Sequence, residues 1–401
     1  MPEKQVILKL PINSRPVIKL CYIKFGNVCD ELEHCLTALP ITGGHYHYVY
    51  STHKILGDTS QIKYLSLNNE NKCVKTKGRV AKTLKTVNAF GSAGKVIKII
   101  HGVLLLLLEL LVHRPDHILM VRTYGLMPCY LLSKLLGAEF TVSIHNDLNL
   151  GKKWLLPIEQ LVLKKADSLI CHGPYLSNQA KRIRSGKENI IEYNASSSDM
   201  VQESSCKNNK KLPVSSEKRL ITYIGRMETE KGILDLFEAY KSTVKVMNSP
   251  VELCFAGAGS QTEFLNRQIG LANLSDTVHV LGELSRQDVA ALLKISWVAV
   301  TPTQKSFPEG RCMAAMEALS LGIPLIAPKL GPFKYLIKQG VNGLFFAPNS
   351  IKDLAKQLGA IQSPDIRHLL ANGAKAESLH FSQNLLSYGE AVKRSLGLFK
   401  I

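Results

Sequence analysis

The sequence predicts an α/β protein built from two doubly wound, largely parallel sheets, and three observations carry that expectation. Short β-branched or aliphatic runs alternate with longer helical patterns through both halves, the mark of repeated strand–helix–strand units. The chain has 401 residues, 45% of them apolar, enough for two ordinary cores. Between the two series lies 196–219, SSSDMVQESSCKNNKKLPVSSEKR, a polar stretch rich in serine and lysine that cannot bury much surface and reads as a linker, with the boundary near residue 210.

In chain order, the strands expected in the first half are 17–23, 46–50, 117–121, 140–144, 168–171 and 190–193. Those of the second half are 220–224, 252–256, 278–281, 298–301, 324–327 and 344–346. The domains are accordingly placed at 1–205 and 219–380, with a linker at 206–218. Residues 381–401 are expected to form a C-terminal helix that packs back on the first domain. No repeat of fixed period links the halves, which share architecture only.

Charge and cysteine content narrow the class. The formal net charge is +18, and residues 1–200 hold 26 basic against 15 acidic side chains (+11), the remainder 24 against 17 (+7). Such an excess suits an anionic partner, whether phosphorylated substrate, membrane surface or nucleic acid. Nucleic acid is set aside, because no basic strand interleaved with aromatics and no recognition helix is present. The nine cysteines are odd in number, scattered and never spaced Cys-x-x-Cys, which argues against a disulfide framework or a zinc cluster. The start, MPEKQVILKLPINSRP, lacks an uninterrupted apolar core followed by small residues, so no secretory leader is expected. The longest apolar run, 99–112, has fourteen residues including His101 and Glu109, short of the roughly 20 that cross a bilayer. The expectation is a cytoplasmic, non-spanning protein.

Three motifs carry chemistry. The strand at 220–224 runs into GRMETEKG, so Gly225 and Arg226 sit at its carboxyl end and Lys231 and Gly232 open the next helix. That edge of a doubly wound sheet is where ligands bind, and a helix start flanked by cations favours phosphate; two ordinary surface cations on a solvated loop explain the motif equally well. After the strand at 298–301 comes PTQKSFPEGRCMAAMEALSLGIP, in which Glu309 and Glu317 are eight residues apart. At about 100° per residue, eight residues return to within about 80° of the start, so two carboxylates point toward one ligand from different depths. Carboxylates accept from the vicinal hydroxyls of sugars, one suited to a hexose and the other to a ribose. A solvated helix face is the ordinary explanation of such a pair, but Ala314, Ala315, Met316, Ala318 and Leu319 make the surroundings of Glu317 apolar, where an unpaired charge is costly. The third motif, Gly257-Ala258-Gly259-Ser260 after the strand at 252–256, reads best as turn chemistry.

The ordered set of GR-x4-KG, FAGAGS, HVLGELSRQDVAALLKISWVAVTP, EG with a second Glu eight residues on, and ALSLGIPLIAPKLGPFKYLIKQGVNGLFF resembles the nucleotide-binding domain of the GT-B glycosyltransferases, specifically the large retaining family 4 (glycosyl transferases group 1), over about 220–390. The resemblance implies two Rossmann-like domains facing each other across a cleft and transfer of a hexose-type sugar, with retention, from a nucleotide-diphosphate donor to a saccharide or lipid-linked acceptor. It places the chain in cell-surface polysaccharide or glycolipid synthesis. It implies that Arg226 and Lys231 contact the donor diphosphate, Glu317 the ribose hydroxyls and Glu309 the transferred sugar, while the backbone at Gly310, Arg311 and Cys312 reaches phosphate or sugar. The chain departs from the commoner EGFG form in having Arg311 and Cys312 after Gly310, which leaves the sugar open.

The first half is similar more loosely. KFGNVCDELEHCLTALPITGGHYHYVYST resembles the family's opening loop, first helix and second strand, with a single Gly26 where many members carry a glycine pair near the donor phosphates. RPDHILMVRTYGLMPCYLLSKLLGAEFTVSIHND resembles the family's run into a strand that ends in a histidine near the donor sugar, which places His145 at the cleft; a lone histidine at a strand end is otherwise more often structural. No Asp-x-Asp occurs, Asp147-Leu148-Asn149 being the nearest approach, so no metal and no other cofactor is expected. Arg226, Lys231 and a helix dipole are instead expected to neutralise the leaving nucleotide.

Residues 72–98 carry eight cations (Lys72, Lys75, Lys77, Arg79, Lys82, Lys85, Lys95 and Lys98) and no acid, directly before IIHGVLLLLLELLVH. A cationic loop beside an apolar helix fits an enzyme peripheral on the inner face of an anionic membrane, reaching a lipid-linked acceptor. Because the leucine run is apolar on all faces, that helix is expected to be core and the loop alone to touch lipid. Competing readings are another GT-B-fold enzyme, such as a nucleotide-sugar 2-epimerase or a phosphorylase, and a silent partner subunit. Neither paired acids for epimerisation nor a pyridoxal-phosphate lysine can be assigned to a residue, and the joint presence of Arg226, Lys231, Glu309 and Glu317 speaks against a silent subunit.

Overall fold

In the computed structural model of the chain the residues described are 18–24, 28–37, 47–56, 60–76, 78–87, 91–122, 125–149, 155–185, 189–194, 219–244, 250–381 and 386–398. They form two parallel α/β sheets. The first has eight strands: β1 (Ile18–Ile23), β2 (Ser60–Asn68), β3 (Lys72–Thr76), β4 (Arg79–Lys85), β5 (His117–Val121), β6 (Glu139–Ile144), β7 (Ser168–His172) and β8 (Ile190–Tyr193). Their order is β3-β4-β2-β1-β5-β6-β7-β8, and only β3 runs antiparallel to its neighbour. Helices α1 (Val28–Thr37) and α2 (His47–Leu56) pack through Val28, Leu32, Val49 and Leu56 on one face of that sheet. The other face is covered by α3 (Gly91–His113), α4 (Leu126–Leu136), α5 (Leu156–Lys165) and α6 (Gly173–Arg184), with Leu106, Leu110, Cys129, Val162 and Leu176 in the shared core.

The second sheet has six strands, β9 (Arg219–Ile224), β10 (Val251–Ala256), β11 (Val278–Gly282), β12 (Val298–Val300), β13 (Leu325–Pro328) and β14 (Gly343–Phe346), in the order β11-β10-β9-β12-β13-β14 with every pair parallel. The helices between and after them are α7 (Ile233–Val244), α8 (Thr262–Leu271), α9 (Arg286–Lys294), α10 (Met313–Ser320), α11 (Ile351–Ala360), α12 (Pro364–Glu377) and α13 (Tyr388–Ser395). All six residues of β10 are buried, as a strand covered on both faces requires. In each sheet the order reverses beside its first strand, between β1 and β5 and between β9 and β12. Ligands of doubly wound proteins lie outside the carboxyl ends of the strands at such reversals.

The last helix, α13, lies on the first sheet's α2 side. Ser387 caps it reciprocally with Glu390, the Gly389 amide donates to Ser51 Oγ at 2.8 Å, and Tyr388 reaches the Tyr22 hydroxyl at 2.9 Å. The linker expected at 206–218 lies outside the described residues.

All six second-half strands fall within a residue of their expected bounds. The first half differs. Of the strand expected at 46–50, the described residues 47–50 are instead the start of α2: Val49, Thr52 and Leu56 are buried at helical spacing while Lys54 is exposed, and packing on the sheet overrides the β-propensity of HYVYST. The basic stretch is not a loop but the β3–β4 hairpin followed by α3, and a lysine-rich edge strand is a common guard against edge pairing. Several of its cations are structural: Arg79 is buried and donates to the Gly78 carbonyl at 3.0 Å, Lys72 pairs with Asp30 and Glu33 at 2.7 Å each, and Lys82 pairs with Glu109. Lys77 lies outside the described residues.

Helix α3 is the second correction. Its apolar span, Ala93–His113, is 21 residues long with mean hydropathy 2.1, longer than the fourteen-residue run read from the sequence. It nevertheless lies on the sheet as the connection from β4 to β5, with Leu106 and Leu110 in the core and Gly102 against Leu67. Only that inner stripe is core, for Leu104 is 53%, Leu108 59% and Val112 81% exposed. The Leu110→Ala variant should therefore lose about 2–5 kcal/mol of stability in denaturant melts, and Leu108→Ala no more than about 0.5 kcal/mol. Equal losses would show that the outer stripe is covered.

Candidate active site

The carboxyl edge of the second sheet is shaped by backbone contacts that admit no side chain. A Cβ on Gly257 would stand 1.9 Å from the Gly225 carbonyl oxygen, and one on Gly259 2.5 Å from that of Met227. The small-residue turn after β10 therefore packs directly on the loop after β9, which accounts for its glycines without a ligand. Gly232, at φ +72°, would meet the Pro302 carbonyl at 2.0 Å, so the loops after β9 and β12 are equally close. That approach holds Lys231, at the end of a 3-10 turn (Thr229–Lys231), beside the segment after β12. Lys231 Nζ lies 3.9 Å from the centre of the Phe307 ring and the Arg226 guanidinium 5.8 Å from it, two cations over one aromatic ring. Arg226 is exposed, its carbonyl fixed by the Tyr223 hydroxyl at 2.7 Å.

Glu309 closes the group. Its Oε2 receives Lys231 Nζ at 2.6 Å, with both side chains largely buried. Cys312 stands just before α10, and its thiol is pushed up to about 12, first by burial and then by Glu309, while Lys231 opposes and Glu317 adds to the rise. Glu317, inside α10, is pushed up to about 7 because its surroundings desolvate the carboxylate; Arg286 is the charge that opposes this.

The first domain meets this loop from the other side. Asn146 forms an antiparallel bridge with Glu309, and the Asp147 amide donates to the Pro308 carbonyl at 3.2 Å. A Cβ on Gly310 would stand 2.0 Å from the His145 carbonyl oxygen, so only glycine fits there. His145 itself follows β6, with Nε2 2.9 Å from Ser143 Oγ and Nδ1 3.1 Å from the Tyr193 hydroxyl, and its ring packs edge-on against Tyr48 at 4.4 Å. The structure thus brings His145, Glu309, Gly310 and Lys231 to one place, with Arg226 beside Phe307 and Cys312 and Glu317 behind. The Arg311 side chain turns away, into the first domain, where it bonds Asn194 and lies against Gly173; burial lowers it to about 10. Gly26 lies outside the described residues.

Sequence reasoning did not single out the residues that hold these groups. Asp147 takes the Tyr175 hydroxyl at 2.5 Å and Gln179 Nε2 at 2.8 Å, so this buried carboxylate is spent on orienting the loop after β6. Tyr193 orders His145, and Phe307 carries the two cations. A buried Lys24–Glu31 pair at 2.5 Å ends β1, with Lys24 5.8 Å over the Tyr48 ring and the Glu31 carboxyl raised to about 6 by burial. None of these has a motif; Asp147, Tyr193 and Phe307 each acquire their role from a partner distant in sequence.

Residues 205–376 match the family described as Glycosyl transferases group 1. Over 180 residues, 43% of this chain and 46% of the other, the sequence is 26% identical to the lipopolysaccharide 1,2-N-acetylglucosaminetransferase of Salmonella typhimurium. The matched stretch spans about half the length of the first curated relatives it resembles. Among solved structures, sucrose-phosphate synthase from Thermosynechococcus elongatus superimposes with a TM-score of 0.68 at 15% identity, covering 95% of this chain and 98% of that one. Anabaena HepE in complex with UDP and glucose does so with a TM-score of 0.64 at 16% identity, over 95% and 100% of the two chains. The fold is that of the GT-B glycosyltransferases. Arg226, Lys231, Glu309 and Glu317 lie in the matched segment, and His145 lies in the domain before it.

The Glu317 carboxyl gives a direct check on the site's electrostatics. Its folded value of about 7 lies above the ordinary 4.5, so the ligand-free protein should lose stability as pH rises from about 4.5 to about 7 and level off above. Thermal melts of Glu317→Gln beside the parent should show a flatter slope in that window and a gain of about 1–3 kcal/mol at pH 8. Parallel curves would mean that Glu317 is solvated.

Proposed function

We propose that the chain is a glycosyltransferase that moves a hexose-type sugar from a nucleotide-diphosphate donor to a saccharide or lipid-linked acceptor, with retention at the anomeric carbon. The observation that carries this reading is the cluster of Lys231, Glu309, Gly310 and His145 where the carboxyl edges of the two sheets meet. The glycosyl transferases group 1 match across 205–376 and the named sugar transferases among the relatives support it. UDP, present with HepE, is the first nucleotide to test.

The roles follow from what each group does electrostatically. Arg226 and Lys231 hold the diphosphate and neutralise it as it leaves, the part that a metal plays where an Asp-x-Asp is available. Glu309 accepts from hydroxyls of the transferred sugar, and Glu317 from those of the ribose. Lys231 and Glu309, paired with each other at 2.6 Å, are both satisfied by a sugar diphosphate placed between them: phosphate oxygens take the ammonium and hydroxyl groups the carboxylate. His145, its ring held by Ser143 and Tyr193 and its carbonyl against Gly310, is the first domain's contribution beside the sugar. In the reaction the bond from the anomeric carbon to the β-phosphate oxygen breaks. The acceptor hydroxyl oxygen bonds that carbon from the same face, and its proton passes to the departing phosphate. Glu309 acts by orientation and charge rather than as a covalent nucleophile.

Two variants separate these roles. Glu309→Gln should lower turnover by two orders of magnitude or so while leaving nucleoside-diphosphate affinity within about threefold, because the nucleotide lacks the sugar. Glu317→Gln should weaken nucleotide and donor alike. Full turnover in Glu309→Gln, or an inverted product in NMR, would refute the assignment.

A further inference from the structure

The outer surface of α3, α4 and α5 has no role in the cleft and is apolar over three adjacent helices. Ile97, Ile100, Leu104, Leu108 and Leu111 recur every three or four residues on the solvent side of α3, an exposed stripe about four turns long. Leu131 and Leu135 of α4 and Ile158 and Leu161 of α5 extend it sideways and are exposed as well. Scattered exposed leucines are ordinary, but a continuous apolar face on one side of a domain marks a contact surface.

Charge decides what that surface meets. The only acids on α3, α4 and α5 are Glu109 and Glu159, and each is in an ion pair: Glu109 with Lys63 at 2.6 Å and with Lys82, Glu159 with Arg122 at 2.8 Å. Lys95 and Lys98 stand at one end of the stripe, Arg114 follows its other end, and Lys164 and Lys165 close α5. Residues 1–200 carry a net +11. A second copy seated on this face would set these cations against their own kind, whereas an anionic bilayer supplies both opposite charge and an apolar layer for the leucines. The orientation is also informative. Helix α3 starts where β4 ends, and Lys98 Nζ bonds Asn69 Oδ1 at 2.7 Å just beyond β2, so the cationic end of the stripe lies at the carboxyl edge of the sheet, the edge that bears His145.

We propose that the α3–α5 face docks on an anionic lipid bilayer, with the apolar stripe in the headgroup boundary and the cleft edge at the membrane surface. The basic hairpin is not the lipid contact by itself; the helix expected to be core supplies the apolar part. The docking rests on this face alone, while its use, presentation of a lipid-borne acceptor, rests on the glycosyl-transfer reading.

The test is flotation of the full chain with phosphatidylcholine vesicles, with and without phosphatidylglycerol, beside Leu104→Gln/Leu108→Gln and Lys95→Gln/Lys98→Gln. Binding should require the anionic lipid, weaken with salt, and fall on the order of tenfold in each double variant. Melting temperature and binding of UDP, GDP or ADP should be unchanged in both. Wild-type affinity in the leucine variant, flotation without anionic lipid, or a dimer in light scattering that the leucine variant dissolves would each overturn the proposal. The vesicle pattern without binding of any nucleotide would uphold the docking and refute the transferase reading.

Discussion

The site depends on one close approach: the Gly310 backbone against the carbonyl of His145, where a Cβ would have only 2.0 Å. Two sheets that bind ligands at their carboxyl edges make a single cleft only if those edges touch, and here they touch through main chain. The Asn146–Glu309 bridge and the Asp147–Pro308 hydrogen bond continue the seam, and Arg311 reaches from it into the first domain. Glu309 is thereby carried by the second domain yet positioned by the first. A side chain at 310 would part the loops and separate Glu309 from His145 together.

The charges gathered along this seam cost stability. Glu317 sits in apolar surroundings that push it toward protonation, and Lys231 and Glu309 are largely withdrawn from water with each other as partner. A buried ion pair is weak evidence for stability, since desolvation offsets much of the Coulomb attraction. Groups that strain the fold and converge on one spot fit a site whose ligand completes them, and cost of this kind is expected where function departs from the rules of a stable core. The first domain's aromatic cluster supports the arrangement from below: Tyr388 of α13 lies 5.1 Å from Tyr193 and 4.8 Å from Tyr48, so the last helix helps to order the rings around His145.

Legibility in the sequence followed burial. Strands β10, β12 and β13 are buried along their whole length and read as short apolar runs, and all of β9 to β14 fall within a residue of their expected bounds. Strands β2, β3 and β4 form one side of their sheet with β3 at its edge, and interspersed lysines hide them in the sequence, while HYVYST looks like a strand although its buried positions follow a helix. The same ambiguity misled the reading of α3: an all-round apolar helix suggests core, and only the three-dimensional arrangement shows a single covered stripe. At the candidate site, Arg226, Lys231, Glu309, Glu317 and His145 were singled out because the motifs that hold them, at strand ends and helix starts, resemble those of a known family. Tyr193, Phe307 and Asp147 were not, because their roles exist only through partners tens of residues away.

The central claim, that both sheet edges bind one nucleotide donor, is tested most directly by hydrogen–deuterium exchange with and without a saturating nucleoside diphosphate sugar. The account predicts slowed exchange in peptides spanning 225–232 and 301–317 and, in the same complex, in the peptide that holds 143–148 of the first domain. Protection confined to the second domain, or located away from all three segments, would contradict it.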